Sequence, residues 1–160
     1  MNHRPLLYIE TSVFGFYYDE QPRNATRHEA AVTLLEQIRL GILLAATSPL
    51  TFDELRRSAE PCRARLLALV ADLEILNPDE QDVKRLTAAY LRDRAVPEAY
   101  GDDARHVAFA TVGKADVLVS FNLRHLANER AERMIGAVNL REGYQLLRIK
   151  TPEEVLSYAD

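Results

Sequence analysis

A chain of 160 residues suits one domain with a sizeable core and leaves no room for a second, so a single domain over residues 1–160 is expected. Hydrophobic residues at 48% and charged residues at 28% match an ordinary globular protein, and a net charge of −4 does not advertise a nucleic-acid binder, although carboxylates that hold cations can hide in that total. Short apolar runs exclude a membrane span, the single Cys62 excludes an internal disulfide framework and a cysteine-based zinc cluster, and the lack of a secretory leader makes a cytoplasmic location the default.

Leu6–Ile9 reads as a short buried strand ending at Glu10-Thr11-Ser12. From Asn24, a plausible N-cap, apolar residues recur at Ala31, Leu34, Leu35 and Ile38, which is helical spacing, and Gly41 provides the stop. Ile42–Ala46 follows as a second buried strand. Ser48-Pro49 opens a helix carrying Leu50, Glu54 and Leu55, with proline at the first helical position, where its missing N–H costs nothing. A further helix runs from Pro61 through Leu66, Leu69 and Val70, and Leu73–Leu76 makes a third strand. Asn77-Pro78-Asp79-Glu80 has the layout of an N-cap, a proline at N1 and an acid at N3, ahead of a helix bearing Val83, Leu86, Tyr90 and Leu91.

After Gly101-Asp102-Asp103 comes a nearly all-apolar helix from Ala104 to Val112, ended by Gly113. Val117–Phe121 is the clearest strand. A polar helix from Ala127 to about Arg141 leads to a fifth strand, Gln145–Ile149, and Thr151-Pro152-Glu153-Glu154 caps a last short helix. Strands alternating with longer helices predict an α/β domain with a central, mostly parallel five-stranded sheet between helical layers.

Ligands of open parallel sheets bind beyond the carboxyl ends of the strands, where Glu10 and Asn122 stand. Asp102 and Asp103 begin a helix that must be buried, where free N–H groups favour an ionised carboxylate; Asp102 as a simple N-cap is the alternative. Glu54 shares a helical face with Leu50 and points inward more than Asp53, whose spacing to Arg56 and Arg57 suits surface pairing; a solvated helix acid is the alternative for Glu54. His106 reads as a satisfied core histidine. His125 lies close enough to a strand end to face the site, with structural hydrogen bonding as its default role.

Tyr8-Ile9-Glu10-Thr11-Ser12-Val13 resembles the opening motif of PIN domains, in which an acid followed by Thr-Ser ends the first strand. Ser48-Pro49-Leu50 through Glu54-Leu55 resembles the family's second acidic position, and Asp103-Ala104-Arg105-His106-Val107-Ala108 its third. Val119-Ser120-Phe121-Asn122-Leu123-Arg124-His125-Leu126-Ala127-Asn128 is similar to the fourth-strand motif, and Val138-Asn139, Gly143-Tyr144 and Thr151–Glu154 resemble the tail of a VapC-like toxin subgroup.

The resemblance implies a PIN-like three-layer fold with the first and fourth strands adjacent. It implies a catalytic set of Glu10, Glu54, Asp103 and Asn122, of which Glu10, Asp103 and Asn122 hold Mg²⁺ or Mn²⁺. Thr11, Ser12, Asp102, Arg105, Arg124 and His125 become supporting or substrate-binding residues. The implied activity is hydrolysis of RNA phosphodiester bonds by the toxin of a toxin–antitoxin pair, with a homodimer and a small antitoxin as partners. Hard cations take oxygen ligands, lower the pKa of a bound water and stabilise charge on a transferring phosphoryl group.

Two departures stand out: Glu10 replaces the usual Asp, and Asn122 replaces a usual acid. Glu10, Glu54 and Asp103 supply too little charge for two divalent ions, which favours one. Asn122 also raises the alternative of a degraded site that binds RNA or protein without catalysis. A receiver-like module fits poorly, since it needs a phosphorylatable Asp at a central strand end. Arg56, Arg57, Arg63 and Arg65 form a basic segment explained either by RNA contact or by helix solvation.

Overall fold

The computed structural model describes residues 3–157; residues 1, 2 and 158–160 of the expected domain lie outside them. Five strands, Leu6–Ile9 (β1), Leu44–Thr47 (β2), Glu74–Ile75 (β3), Val117–Val119 (β4) and Arg148–Lys150 (β5), form one all-parallel sheet in the order β3-β2-β1-β4-β5. Leu7 pairs with Ala45 on one side and with Val117 on the other, so β1 sits centrally and the strand order reverses between β1 and β4. Eight α-helices among the described residues flank the sheet: Thr11–Tyr17 (α1), Ala25–Arg39 (α2), Pro49–Leu55 (α3), Cys62–Val70 (α4), Glu80–Arg92 (α5), Gly101–Val112 (α6), Glu129–Arg141 (α7) and Pro152–Ser157 (α8). The arrangement is α/β and PIN-like, with the sheet as the middle of three layers.

Strand alternation divides the core. Tyr8, Leu118 and Ile149 join residues of α5, α6 and α7 on one face, while Leu7, Ile9, Val117 and Val119 join α1, α2, α3 and α4 on the other. The first face also contains polar groups that satisfy one another: the Tyr90 hydroxyl bonds both Asn139 and Thr111, and Asn139 Nδ2 donates to Thr111 Oγ1 at 3.2 Å. These bonds tie α5, α6 and α7 together without an unpaired buried donor.

The differences from the sequence reading have local causes. Helix α1 was not anticipated; the Glu10 carboxylate caps it by accepting the Ser12 N–H. Asn24 does not cap α2 with its side chain, which instead donates to Asp19, and a 3-10 turn, Pro22–Asn24, precedes that helix. Residues 42 and 43 are not strand, because their N–H groups return to Gln37 O after Gly41 takes a φ of 75°. Asp79, not Asn77, caps α5, accepting from Gln81 N and Asp82 N. Helix α6 starts at Gly101 rather than Ala104, since Ala104 N already donates to Tyr100 O; Tyr100 is its cap, and Asp102 and Asp103 lie in its first turn. No described helix is long and apolar enough to cross a membrane.

Candidate active site

The carboxyl ends of β1 and β4 meet at the point where strand order reverses, and four segments converge there. Glu10 follows β1 directly and is 6% exposed. Its Oε1 accepts the Ser12 hydroxyl at 2.6 Å and the Ser120 hydroxyl at 2.7 Å, and its Oε2 accepts Ser12 N at 3.1 Å. Ser12 Oγ in turn accepts Phe121 N at 3.0 Å, which fastens the start of α1 to the segment after β4. A buried carboxylate held by three donors is kept in place without a cationic side chain.

Asp103 occupies the first turn of α6, half-buried, and its Oδ2 accepts Asn122 Nδ2 at 3.1 Å. Burial and then the charge of Glu10 push its pKa above the ordinary carboxylate value, against weaker pulls from His106, His125 and Asn122. Asp102 faces elsewhere: its carboxylate lies 3.8 Å from Arg57 and 3.5 Å from Arg105 on the exposed rim. Asn122 lies three residues beyond the end of β4, not directly at it. Its Oδ1 accepts His125 N at 3.1 Å, so the oxygen expected as a metal ligand is capping the next turn while the amide nitrogen faces Asp103.

Glu54 is drawn into a buried chain of its own. His106, on α6 and fully buried, bonds Glu54 Oε1 through Nε2 and shares a 2.7 Å hydrogen bond with the Tyr8 hydroxyl through Nδ1. Tyr8 continues to Ser48 Oγ at 2.7 Å, and Thr11 Oγ1 donates to Glu54 at 2.7 Å. Burial, the largest influence on His106, disfavours its imidazolium, but the Glu54 bond and the charges of Glu10, Glu54 and Asp103 outweigh it and raise the pKa. Burial likewise opposes ionisation of Glu54, yet its bonds to His106 and Thr11 and the His106 and Arg57 charges hold its pKa below the ordinary value. Burial pushes the Tyr8 phenol well up, so it stays protonated. Thr11, expected only as a supporting residue, therefore holds Glu54.

Among the described residues no group of three or more His, Cys, Asp or Glu stands close enough to enclose a metal ion. Of the three acids, Glu10 and Asp103 have no cationic side chain paired to them among the described residues. Their hard donor character fits one Mg²⁺ or Mn²⁺ bound through one or two carboxylates, with water and substrate phosphate completing the shell, and does not fit a closed protein cage.

No protein-family model matches the chain, and no curated protein matches it. Among solved structures it resembles VapBC-1 from nontypeable Haemophilus influenzae, with a TM-score of 0.57 and 16% identity over 92% of this chain and 98% of that one. It also resembles FitAcB from Neisseria gonorrhoeae, with a TM-score of 0.49 and 15% identity over 92% and 98%, a likeness too weak to carry weight.

These comparisons correct one expectation. Placement in the VapC-like toxin branch of the PIN family does not stand: no family model supports it, and the solved likeness is to VapBC-1 as named, not to an isolated toxin. At 16% identity that likeness shows a shared fold.

The remaining candidates lie at the rim. Arg124 is exposed on the turn after Asn122, and Arg105 is exposed on α6. Arg56 pairs with Asp53 at the end of α3 and Arg63 with Glu60 at the start of α4, each three residues away, which is solvation of the helix ends. Ser120 escaped the sequence reading, although its position immediately after β4 was the available signal. Arg23 and Arg27 escaped it too; they line a cleft of about 470 Å³ bounded by Phe121, Leu123 and Glu153.

Proposed function

We propose that this protein hydrolyses RNA phosphodiester bonds with the help of one divalent cation, Mg²⁺ or Mn²⁺, within a toxin–antitoxin setting. The observation that carries the reading is Asp103: a half-buried carboxylate, raised in pKa by burial and by Glu10, with no cationic side chain paired to it among the described residues. A cation between Glu10 and Asp103 would relieve that repulsion. When bound, such an ion supplies a nucleophilic water at neutral pH and offsets charge on the transferring phosphoryl group.

The chain's own residues do the rest. Ser12 and Ser120 orient Glu10, Asn122 orients Asp103, and the His106–Glu54 pair anchors α6 against α3 and the start of α1. The fold likeness to VapBC-1, a toxin–antitoxin complex, supports the setting and a small antitoxin as partner; the homodimer is proposed from the motif resemblance alone.

The test is cleavage of a mixed RNA panel with Mg²⁺ or Mn²⁺ by the wild-type protein and by Asp103→Asn. Cleavage that stops with chelator and falls by orders of magnitude in the variant supports the reading. Two inert proteins, with no metal binding by calorimetry, refute it and favour a binding module. The turned-away Asn122 oxygen and the lack of a three-ligand cluster among the described residues are the observations on that side.

A further inference from the structure

We propose that Tyr100 and His125 form a stacking platform for an unpaired nucleobase, so that single-stranded RNA is positioned by one base beside the Glu10–Asp103 carboxylates. The proposal rests on the ribonuclease reading and adds how the substrate is held.

The two rings come from different segments and meet at the site. Tyr100 caps α6, three residues before Asp103, and His125 sits three residues after Asn122. Asp103 and Asn122 are joined by their 3.1 Å hydrogen bond, so the acid and the ring pair share the same two supports. The rings lie 3.9 Å apart between centroids with their planes 32° from parallel. His125 is held through its backbone N–H by Asn122 Oδ1, and its charge is felt at Asp103.

Ordinary packing does not account for this pair. Neither ring belongs to either buried core cluster, and Tyr100 is 42% exposed. Neither side chain has a hydrogen-bond partner among the described residues, whereas His106 and Tyr90 are fully engaged. An aromatic surface fixed at the edge of the proposed phosphodiester site matches the flat nucleobase that every ribose of the RNA backbone carries. Base–aromatic stacking is tolerant of sequence, because every base has a π face, but it needs that face uncovered. Arg57 and Arg105, gathered around Asp102 on the adjoining rim, give the backbone a positive flank.

The experiment measures binding of a fluorescent seven-nucleotide RNA in the Asp103→Asn background, where turnover is blocked, with Tyr100→Phe, Tyr100→Leu or Tyr100→Ala added. An abasic site is scanned through the oligonucleotide, and kcat and KM are measured for the same Tyr100 changes in the active protein. Loss of one stacked base corresponds to about 5- to 150-fold weaker binding for Tyr100→Leu and Tyr100→Ala, with Tyr100→Phe within about twofold. One abasic position should weaken the Asp103→Asn protein equally and cost nothing further once Tyr100 is Leu, and the effect on turnover should fall on KM.

Full binding by Tyr100→Leu, or an abasic penalty unchanged by it, overturns the platform. Cleavage that ignores Tyr100 sinks the platform alone. Tyr100-dependent binding with no cleavage by the active protein sinks the ribonuclease reading alone. RNA that is never bound sinks both.

Discussion

Replacing His106 by Ala removes the centre of the buried chain that joins Ser48, Tyr8, Glu54 and Thr11. Breaking a buried ion pair from one side costs about 3–5 kcal/mol, chiefly because the surviving charge is left uncompensated. Glu54 keeps 21% of its side-chain surface in water and retains the Thr11 hydroxyl, so the low end, about 3 kcal/mol, is expected. With a urea slope of about 2 kcal/mol/M, that moves the unfolding midpoint down by about 1.5 M.

The pH dependence separates the ion pair from the cavity left by the ring. The pKa of folded His106 lies above its ordinary 6.5, so its share of the stability is complete below 6.5 and disappears as pH rises through the folded value. The pKa of folded Glu54 lies below its ordinary 4.5, so its share is complete above 4.5 and disappears as pH falls through the folded value. The two statements describe one interaction, at full strength between these pH limits. Urea melts of wild type, His106→Ala, Glu54→Gln and the double variant at pH 5.5 and pH 9 should show a coupling that is larger at pH 5.5. Equal coupling at both pH values, or additive single changes, would refute the ion-pair account and leave only a cavity cost.

Asn122→Asp keeps the bond to His125 N but sets a second carboxylate against Asp103 in place of an amide donor. Both acids should titrate high, so the variant's deficit, about 1–2 kcal/mol at this partly exposed site, should grow as pH rises through them and shrink when millimolar Mg²⁺ is added; a deficit independent of pH and Mg²⁺ counts against the pocket's electrostatics. Gly113→Ala would place its Cβ 2.7 Å from Phe109 O and 2.9 Å from Leu76 Cδ1, an overpacking cost of about 1–3 kcal/mol. Gly15→Ala, with nothing within 4 Å, should be neutral or slightly stabilising when both variants are compared in urea melts, and equal effects at the two positions would refute the steric argument.

What could be read in the sequence was whatever depends on short-range pattern. The apolar runs located all five strands to within a few residues, and proline at position 49 marked the start of α3. Helix α1 was hidden because its seven residues, Thr11 to Tyr17, include glycine and aromatic residues in place of strong helix formers, and its cap is a glutamate that forms the helix end only when Ser12 folds back on it. The start of α6 was misplaced by three residues because the apolar run begins at Ala104; the aspartates were placed at the helix start, where free N–H groups favour them, but Gly101 gave no sign that the first turn already includes all three. The partners of Glu10 and Glu54 were beyond reach of local pattern: Ser120 and His106 stand 110 and 52 residues away.

The three acids beyond the carboxyl ends of the central strands have been given different amounts of compensation, and that division makes a neutral residue at position 122 compatible with the proposed cation chemistry. Glu54 is paired with His106, and Glu10 is held by three hydrogen-bond donors, none of them a cationic side chain. Asp103 receives one amide hydrogen bond and feels Glu10 as a repulsive neighbour. A fourth carboxylate beside it would deepen that repulsion in the cation-free protein, whereas Asn122 lowers it. The uncompensated charge is therefore concentrated on Glu10 and Asp103; under the proposed reading it would attract a single divalent ion and hold a second only with a phosphate between them.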